Sequence, residues 1–266
     1  MDKPKLIKTL KKAGIISLWI VLTMGLLFSL AFVNKENRNL ACTSVTVNID
    51  PENELRFINR EMVITIINSE GDENKIKGQK INSLKIPNLE SKIESNKFIK
   101  KAQVFTDMNG ILHINIDQKV PILRIINAQG QSFYIDKEGN KVPESPVFTA
   151  HVPVATGNIF ESIDDTSMVQ SYVGTELYKI ATYVDKDAFW KAQIEQIFVN
   201  AESELVLIPK VGEHTIHFGS SDDMEQKFKK LMLFYKEALS RIGWDKYSDI
   251  DLRFKNQIVC KKNLNN

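Results

Sequence analysis

Histidines, cysteines and carboxylates are the residues of this chain that could bind a metal or take part in catalysis. Their spacing gives little evidence of either kind of site. His214 and His217 have the spacing of half a metal site, but an odd separation within a strand directs two side chains to opposite faces. His113 and His151 lie in separate strand-like runs with no cluster of further ligands beside them. The pattern therefore predicts no metal site, and no motif implies a cofactor.

Two pairs of adjacent carboxylates, Asp164-Asp165 and Asp222-Asp223, could share general acid and base roles. Each pair precedes a predicted helix, where negative charge complements the helix dipole, and this structural use is favoured. Cys260 has no histidine beside it in the sequence that would activate it as a nucleophile. The chain also lacks a glycine-rich phosphate loop, a Gly-x-Ser-x-Gly elbow and a His-Glu-x-x-His motif. A binding protein is predicted, not an enzyme.

The elements that would position a binding surface begin with an apolar run over residues 13–33. Its 21 uncharged residues would span roughly 31 Å as a helix, which matches a hydrocarbon core of about 30 Å. Five lysines against one acid in residues 1–12 place that tail in the cytoplasm. The prediction is a single-pass, type II transmembrane helix with the rest of the chain outside. The alternative is a cleaved signal peptide ending near Ser29-Leu30-Ala31, whose apolar region would usually be shorter.

The external part of the chain is nearly neutral. The whole chain has a formal charge of +2, and residues 1–12 alone have +4, so the rest of the chain has −2. A nucleic-acid partner needs a basic face, so none is expected, and nothing predicts a small-molecule substrate. Cys42 and Cys260 are the only cysteines and flank most of the external part, so that a disulfide and two free thiols both stay open.

A polar linker over residues 34–41 leads into one predicted domain over residues 42–118, with the order β-α-α-β-β. Residues 44–49 alternate as a strand does. Asn59 is the predicted N-cap of a first helix with Met62, Ile66 and Ile67 at helical spacing, and Asn88 is the predicted N-cap of a second. Two strands over 102–107 and 111–116 follow, joined by the hairpin dipeptide Asn109-Gly110.

A second α+β domain is predicted over residues 119–262, followed by a tail over 263–266. A mostly antiparallel sheet with helices on one face is expected. Helical spacing predicts helices over residues 169–184 and 224–242, the second with a capping pair at Asp222 and Glu225 and a stop at Gly243. Strands are predicted over 193–199, 204–209 and 214–218. Ile250, Leu252 and Phe254 alternate in a further predicted strand.

Short motifs in these elements resemble the FtsQ/DivIB family of bacterial division proteins. Residues 118–125 are similar to the family's exit from its POTRA (polypeptide-transport-associated) domain, with Gln118 in place of a glutamate. Residues 132–140 resemble its strand and turn of the form Tyr-apolar-Asp-x-x-Gly, and residues 152–157 resemble the strand that follows. Asp251-Leu252-Arg253-Phe254 resembles its Asp-Leu-Arg-Tyr signature, with Phe254 in place of the tyrosine.

The resemblance implies a POTRA domain over residues 42–118 and a bitopic scaffold of the divisome. The scaffold would lie in the inner membrane at the division septum, with its domains in the periplasm. A C-terminal edge strand would hold small coiled-coil proteins of the FtsB and FtsL type by strand addition, and the POTRA domain would dock upstream proteins such as FtsK-like ones. The residues expected to bind the partner are Arg253, Phe254, Asn256, Gln257, Ile258, Val259 and Cys260.

Two other functions are weighed against this one. A membrane-anchored periplasmic enzyme acting on the cell wall would need a cluster of polar residues that the sequence does not show. A POTRA-bearing module for outer-membrane assembly would be followed by a barrel, whereas the remainder of this chain contains two long helices.

Overall fold

The computed structural model describes residues 16–29, 40–50, 55–68, 76–164 and 167–263. Residues 16–29 are helical, but within these described ranges no helix is both long enough and apolar enough to cross a membrane. The transmembrane helix predicted over residues 13–33 extends at both ends beyond the described residues. The predicted tail 1–12 and most of the predicted linker also lie outside them.

The chain folds into two compact units. The first consists mainly of residues 40–50, 58–96 and 101–117. The second contains residues 118–263 together with two short segments, residues 55–57 and 97–100.

The first unit is a three-stranded sheet with two helices, which confirms the predicted order β-α-α-β-β. The strand order β1-β3-β2 places β3 in the centre, parallel to β1, and Leu112, Ile114 and Ile116 form its buried face. The elements are β1 (Ser44–Ile49), α1 (Arg60–Asn68), α2 (Ile86–Glu94), β2 (Ile99–Thr106) and β3 (Ile111–Gln118), with a 3-10 turn at Ile81–Ser83.

The start of α1 follows the prediction, but its buried face follows it only in part. The Asn59 carboxamide oxygen accepts a hydrogen bond from the Met62 N–H at 2.8 Å, as an N-cap should. Of the predicted residues Ile67 is buried, whereas Met62 and Ile66 are only half-buried. The other buried residues are Val63, Ile64 and Asn68. The spacing predicted only part of the face because Val63 and Ile67 are also four residues apart, and spacing alone cannot choose between two such stripes.

Three other boundaries differ from the predictions. The helix predicted from Asn88 begins at Ile86, since Pro87 suits the first turn of a helix. Strand β2 begins at Ile99, before the predicted residue 102. The end of the predicted linker is tied to this unit, because the Leu40 carbonyl accepts the Ile81 N–H at 2.9 Å.

The second unit is built on a nine-stranded sheet. Strand β6 and helix α4 have no counterpart in the sequence predictions. The elements are β4 (Pro121–Ile126), β5 (Ser132–Asp136), β6 (Lys141–Pro143), β7 (Val154–Gly157), α3 (Tyr172–Lys186), α4 (Ala188–Gln193), β8 (Ile194–Val199), β9 (Leu205–Pro209), β10 (Thr215–Gly219), α5 (Met224–Phe234), β11 (Tyr247–Asp251) and β12 (Val259–Lys262).

The strand order is β12-β11-β10-β9-β8-β7-β4-β5-β6, and the sheet is mixed. The expectation of a mostly antiparallel sheet was wrong, because β4–β7, β7–β8 and β10–β11 are parallel pairs. The physical reason is connectivity: α3 and α4 carry the chain from β7 to β8, and α5 carries it from β10 to β11. A helical crossover of this kind joins parallel strands.

The helices lie on one face of the sheet, as predicted. Leu177 and Ile180 of α3, Trp190 of α4, and Phe228 and Leu231 of α5 all belong to a single core. Alternate residues of the strands complete that core, among them Ile197, Val199, Leu205, Leu207, Ile216 and Phe218. The intervening strand residues face away from the helices.

The ends of the last helix correct one prediction and confirm another. The predicted capping pair of Asp222 and Glu225 is wrong: the N-cap is Asp223, whose φ is +52° and whose side chain makes no capping bond. The Asp222 carboxylate instead accepts the Ser220 hydroxyl at 2.8 Å. After α5 the chain continues through a π-helical turn, Tyr235–Leu239, and a last turn, and it stops at Gly243 as predicted.

Candidate partner-binding edge

Strand β12 is the last strand at one end of the nine-stranded sheet. It pairs with β11 in antiparallel register, with Val259 opposite Asp251 and Cys260 opposite Ile250. Among the described residues, no strand lies on its other side. The outer edge of β12 therefore offers main-chain N–H and C=O groups to another strand.

The main-chain groups of Cys260 and Lys262 are the ones that point towards this open edge. The Ser248 hydroxyl lies 3.5 Å from the Lys261 carbonyl, and the Asn263 N–H donates to the Lys246 carbonyl at 3.1 Å. Lys261 and Asn263 thus direct their main-chain groups towards the β11 side. Successive residues of a strand direct these groups to opposite sides, so Cys260 and Lys262 direct theirs outward.

The side chains of β12 divide between the two faces of the sheet. Val259 and Lys261 are opposite Asp251 and Asp249, on the face that the helices leave uncovered. Cys260 is opposite the buried Ile250 and contacts the core on the helix-covered face. A strand added at this edge would meet an exposed valine and a lysine on one face and a half-buried thiol on the other.

Arg253, a predicted binding residue, holds the chain just after β11. Its guanidinium makes hydrogen bonds to both Asp251 carboxylate oxygens, at 2.6 to 3.2 Å, and its Nη1 lies 2.9 Å from Glu204 Oε2. Burial alone would raise the pKa of Asp251, but the hydrogen bonds from Arg253 lower it below the ordinary value. Glu204 directly precedes β9, so Arg253 ties the end of β11 to the start of β9.

Phe254 is not where the alternation placed it. Ile250 and Leu252 are fully buried, but Phe254 is 45% exposed. The prediction of one strand carrying all three residues was wrong because β11 ends at Asp251 and the chain then turns. A ring on the outside of that turn cannot anchor the inner face of the sheet.

The other predicted binding residues lie along the turn and the start of β12. Asn256 and Gln257 are exposed in the turn, and Ile258 is half-buried against the core. Val259 and Cys260 are within β12. The strand continues through Lys261 and Lys262, which were not among the predicted binding residues.

The histidines and cysteines occupy separate places in the fold. His214 is buried, with Nε2 2.8 Å from the Tyr235 hydroxyl, and His217 is on the opposite face of β10, 3.0 Å from Asp249. No group of three metal-binding side chains occurs among the described residues. Cys42 and Cys260 are both free thiols, and burial raises the pKa of each.

The two carboxylate pairs have structural contacts. Asp164 accepts a hydrogen bond from the Gln131 amide at 3.0 Å, and Asp165 lies outside the described residues. Asp222 and Asp223 precede α5 in the turn after β10.

Two family models match the chain. A model described as FtsQ/DivIB, C-terminal related, matches residues 120–261, and a model described as a POTRA-like domain matches residues 40–117. The first match covers more than half of the 266 residues and reaches into β12.

Two curated relatives are similar over much of the chain, and each is named Cell division protein FtsQ. The protein of Rhodothermus marinus is 24% identical over 178 residues, which are 65% of this chain and 64% of the relative. The protein of Salinibacter ruber is 26% identical over 178 residues, which are 64% of this chain and 67% of the relative. The similarity thus spans about two thirds of the length of these relatives.

Proposed function

This chain belongs to the FtsQ/DivIB family of cell division proteins, and from that premise we propose that it is a division scaffold that holds small coiled-coil proteins of the FtsB and FtsL type. The observation that carries the proposal is the open outer edge of β12, where Cys260 and Lys262 direct main-chain groups away from the sheet. The role requires binding and no catalytic group.

The proposed mechanism is strand addition. A partner strand pairs with the outward main-chain groups of Cys260 and Lys262, which gives affinity that depends little on sequence. Selectivity comes from the side chains beside the added strand: Val259 and Lys261 on the uncovered face, Ile258 and Cys260 on the other. Arg253, Phe254, Asn256 and Gln257 contribute through the turn that leads into the strand.

We place the scaffold in the inner membrane at the division septum. Residues 13–33 are the proposed anchor, and the lysines of residues 1–12 keep the N-terminus in the cytoplasm. The POTRA-like unit would dock upstream division proteins, such as FtsK-like ones, along β1 or β2, the two outer strands of its sheet. A reporter that is active only outside the cytoplasm should work after Asn266 and fail after Lys12.

The binding proposal is tested by a proline at position 260. Cys260→Pro removes the N–H that faces the open edge, and an edge strand tolerates proline where its N–H faces solvent. We expect the variant to fold and to lose the FtsB-like and FtsL-like proteins of the same genome when they are co-expressed and purified with it.

Cys260→Val is the matched control, because it also removes the thiol but keeps the N–H. It should retain the partners. Both variants are checked by thermal unfolding, since a folding defect would mimic lost binding. A folded Cys260→Pro protein that captures the partners as well as Cys260→Val would refute strand addition at this edge.

A further inference from the structure

One lysine of α5 contacts four carbonyls of the turn between β11 and β12, residues 252–258. The Lys230 ammonium is 2.7 Å from the Phe254 carbonyl oxygen and 3.4 Å from the carbonyl oxygens of Leu252, Lys255 and Gln257. Four of the seven main-chain carbonyls between β11 and β12 therefore converge on one positive charge.

The contacts of Lys230 differ from those of Lys141 and Lys179, which lie against carboxylates. Lys227, one turn earlier on the same helix, also donates to a carbonyl oxygen, but only to that of Ser220, at 2.9 Å. Among the described residues, no carboxylate lies within ion-pair distance of Lys230, and its hydrogen bonds go only to this turn. The Lys230 ammonium is half-buried and donates to these carbonyl oxygens. These charge-assisted hydrogen bonds stabilise the conformation of the turn.

The position of the turn matters for the edge strand. Its Gln257 carbonyl is two residues before Val259, where β12 begins, while α5 itself is fixed in the core through Phe228 and Leu231. Strand β12 is only four residues long and pairs with one neighbour, so its own ladder gives it little support.

We infer that Lys230 is a positioning residue for the partner-binding edge. Its ammonium binds four carbonyls of the turn and thereby holds β12 against β11 in the register that leaves Cys260 and Lys262 facing outward. The inference rests on the proposed function for its biological purpose, but the positioning itself can be measured without any partner. It adds a residue from a distant helix to a site otherwise confined to the last strands.

The test is amide hydrogen exchange in the full chain, read at residues 253–262. Lys230→Met keeps the length of the side chain and removes its charge and donors. We expect exchange at Val259 and Lys261, whose N–H groups face β11, to accelerate about tenfold, because one charge-assisted hydrogen bond and its weaker neighbours are lost from a marginal strand. Exchange in β8 and β9 should be unchanged.

Lys229→Met is the matched control, since Lys229 is exposed on the same helix and takes no part in the carbonyl cluster. It should exchange as wild type does. Lys230→Arg keeps charge and donors and should restore most of the protection. If Lys230→Met unfolds the second unit, Lys230→Gln replaces it, and a local acceleration is again expected. Wild-type exchange at Val259 and Lys261 in a folded Met or Gln variant would overturn the inference.

Capture of the co-expressed FtsB-like protein separates this inference from the proposed function. Lys230→Met should lower capture about tenfold, and Lys229→Met should not. Equal capture by a Lys230→Met protein whose β12 exchanges faster would refute the role of Lys230 in binding. If wild type captures nothing although Lys230→Met accelerates exchange, the proposed function fails and the positioning of β12 stands.

Discussion

Lys141 and Glu161 form an ion pair in the interior of the second unit, with Nζ and Oε1 2.5 Å apart and side chains only 1% and 4% exposed. Glu161 also accepts the N–H of Ser171, the N-cap of α3, at 3.0 Å. Burial would raise the pKa of Glu161, but the hydrogen bonds from Lys141 and Ser171 lower it below the ordinary value. The pair therefore connects β6 to the start of α3.

Removing one partner of this pair should destabilise the unit severely. Lys141→Met leaves the Glu161 carboxylate buried without its counter-charge, and we expect a loss of about 3–5 kcal/mol in the free energy of unfolding. The double variant Lys141→Met with Glu161→Met should recover most of that loss, because no buried charge remains. Urea unfolding at neutral pH measures both. A single variant within about 1 kcal/mol of wild type would contradict the assignment of a tightly coupled buried pair.

Gly174, inside α3, should not tolerate a methyl group. In most helices Gly→Ala stabilises by about 1 kcal/mol. Here a Cβ would lie 2.5 Å from Glu161 Oε2 and 2.5 Å from Val169 Cγ1, so Gly174→Ala should lower the thermal midpoint. Thr175→Ala, one residue further along, is the control and should change the midpoint little. A Gly174→Ala protein that melts above wild type would contradict this prediction, because Glu161 and Val169 would then have moved aside at little cost.

The requirement for glycine at position 174 could not be predicted from the sequence. The apolar spacing of α3 predicted a helix that merely tolerates this glycine, and the helix is present. The need for the glycine comes from Glu161 and Val169. The helical spacing placed Val169 inside the helix, but α3 begins at Tyr172, and Val169 lies in the loop before it. Local signals such as the Asn59 cap and the Asn109-Gly110 turn were accurate because their causes lie within a few residues.

At the candidate edge, too, local patterns predicted only the features that have local causes. Alternation of Ile250, Leu252 and Phe254 predicted the buried pair correctly, but it could not say that β11 ends at Asp251. The turn after Asp251 is held by the contact of Arg253 with Glu204 and by a lysine of α5, and both contacts join residues that are distant in the sequence. The mixed character of the sheet was missed for a related reason, since strand direction follows from how the helices cross it.

The buried His214 should make the second unit sensitive to mild acid. Burial lowers its pKa below 6.5, so the folded state holds fewer protons than the unfolded state once the pH falls below that value. Stability should then fall as the pH drops, by at most about 1.4 kcal/mol per pH unit from this group. His214→Gln should lose this dependence between pH 6.5 and 5 in urea unfolding. An unchanged slope in the variant would assign the effect to another group.

The predicted boundary near residue 118 gives a separate test. Residues 42–118 contain the complete β-α-α-β-β order and their own buried residues, among them Val63, Ile93, Leu112 and Ile114. We expect a fragment of residues 42–118 to unfold cooperatively. The fragment keeps the contact of the Phe57 ring with Phe98 but loses its contacts with Tyr134 and Phe148, so this ring would be partly uncovered. A fragment without a cooperative transition, even as Phe57→Ser, would refute the boundary.

The most direct measurement of the central claim is residue-resolved amide exchange on β12, with and without the FtsB-like protein of the same genome. In the free chain the N–H groups of Cys260 and Lys262 face the open edge, and that of Lys261 faces β11. Strand addition predicts that binding slows exchange at Cys260 and Lys262 and changes Lys261 much less. A saturated complex in which Cys260 and Lys262 exchange as they do in the free chain would contradict strand addition at this edge.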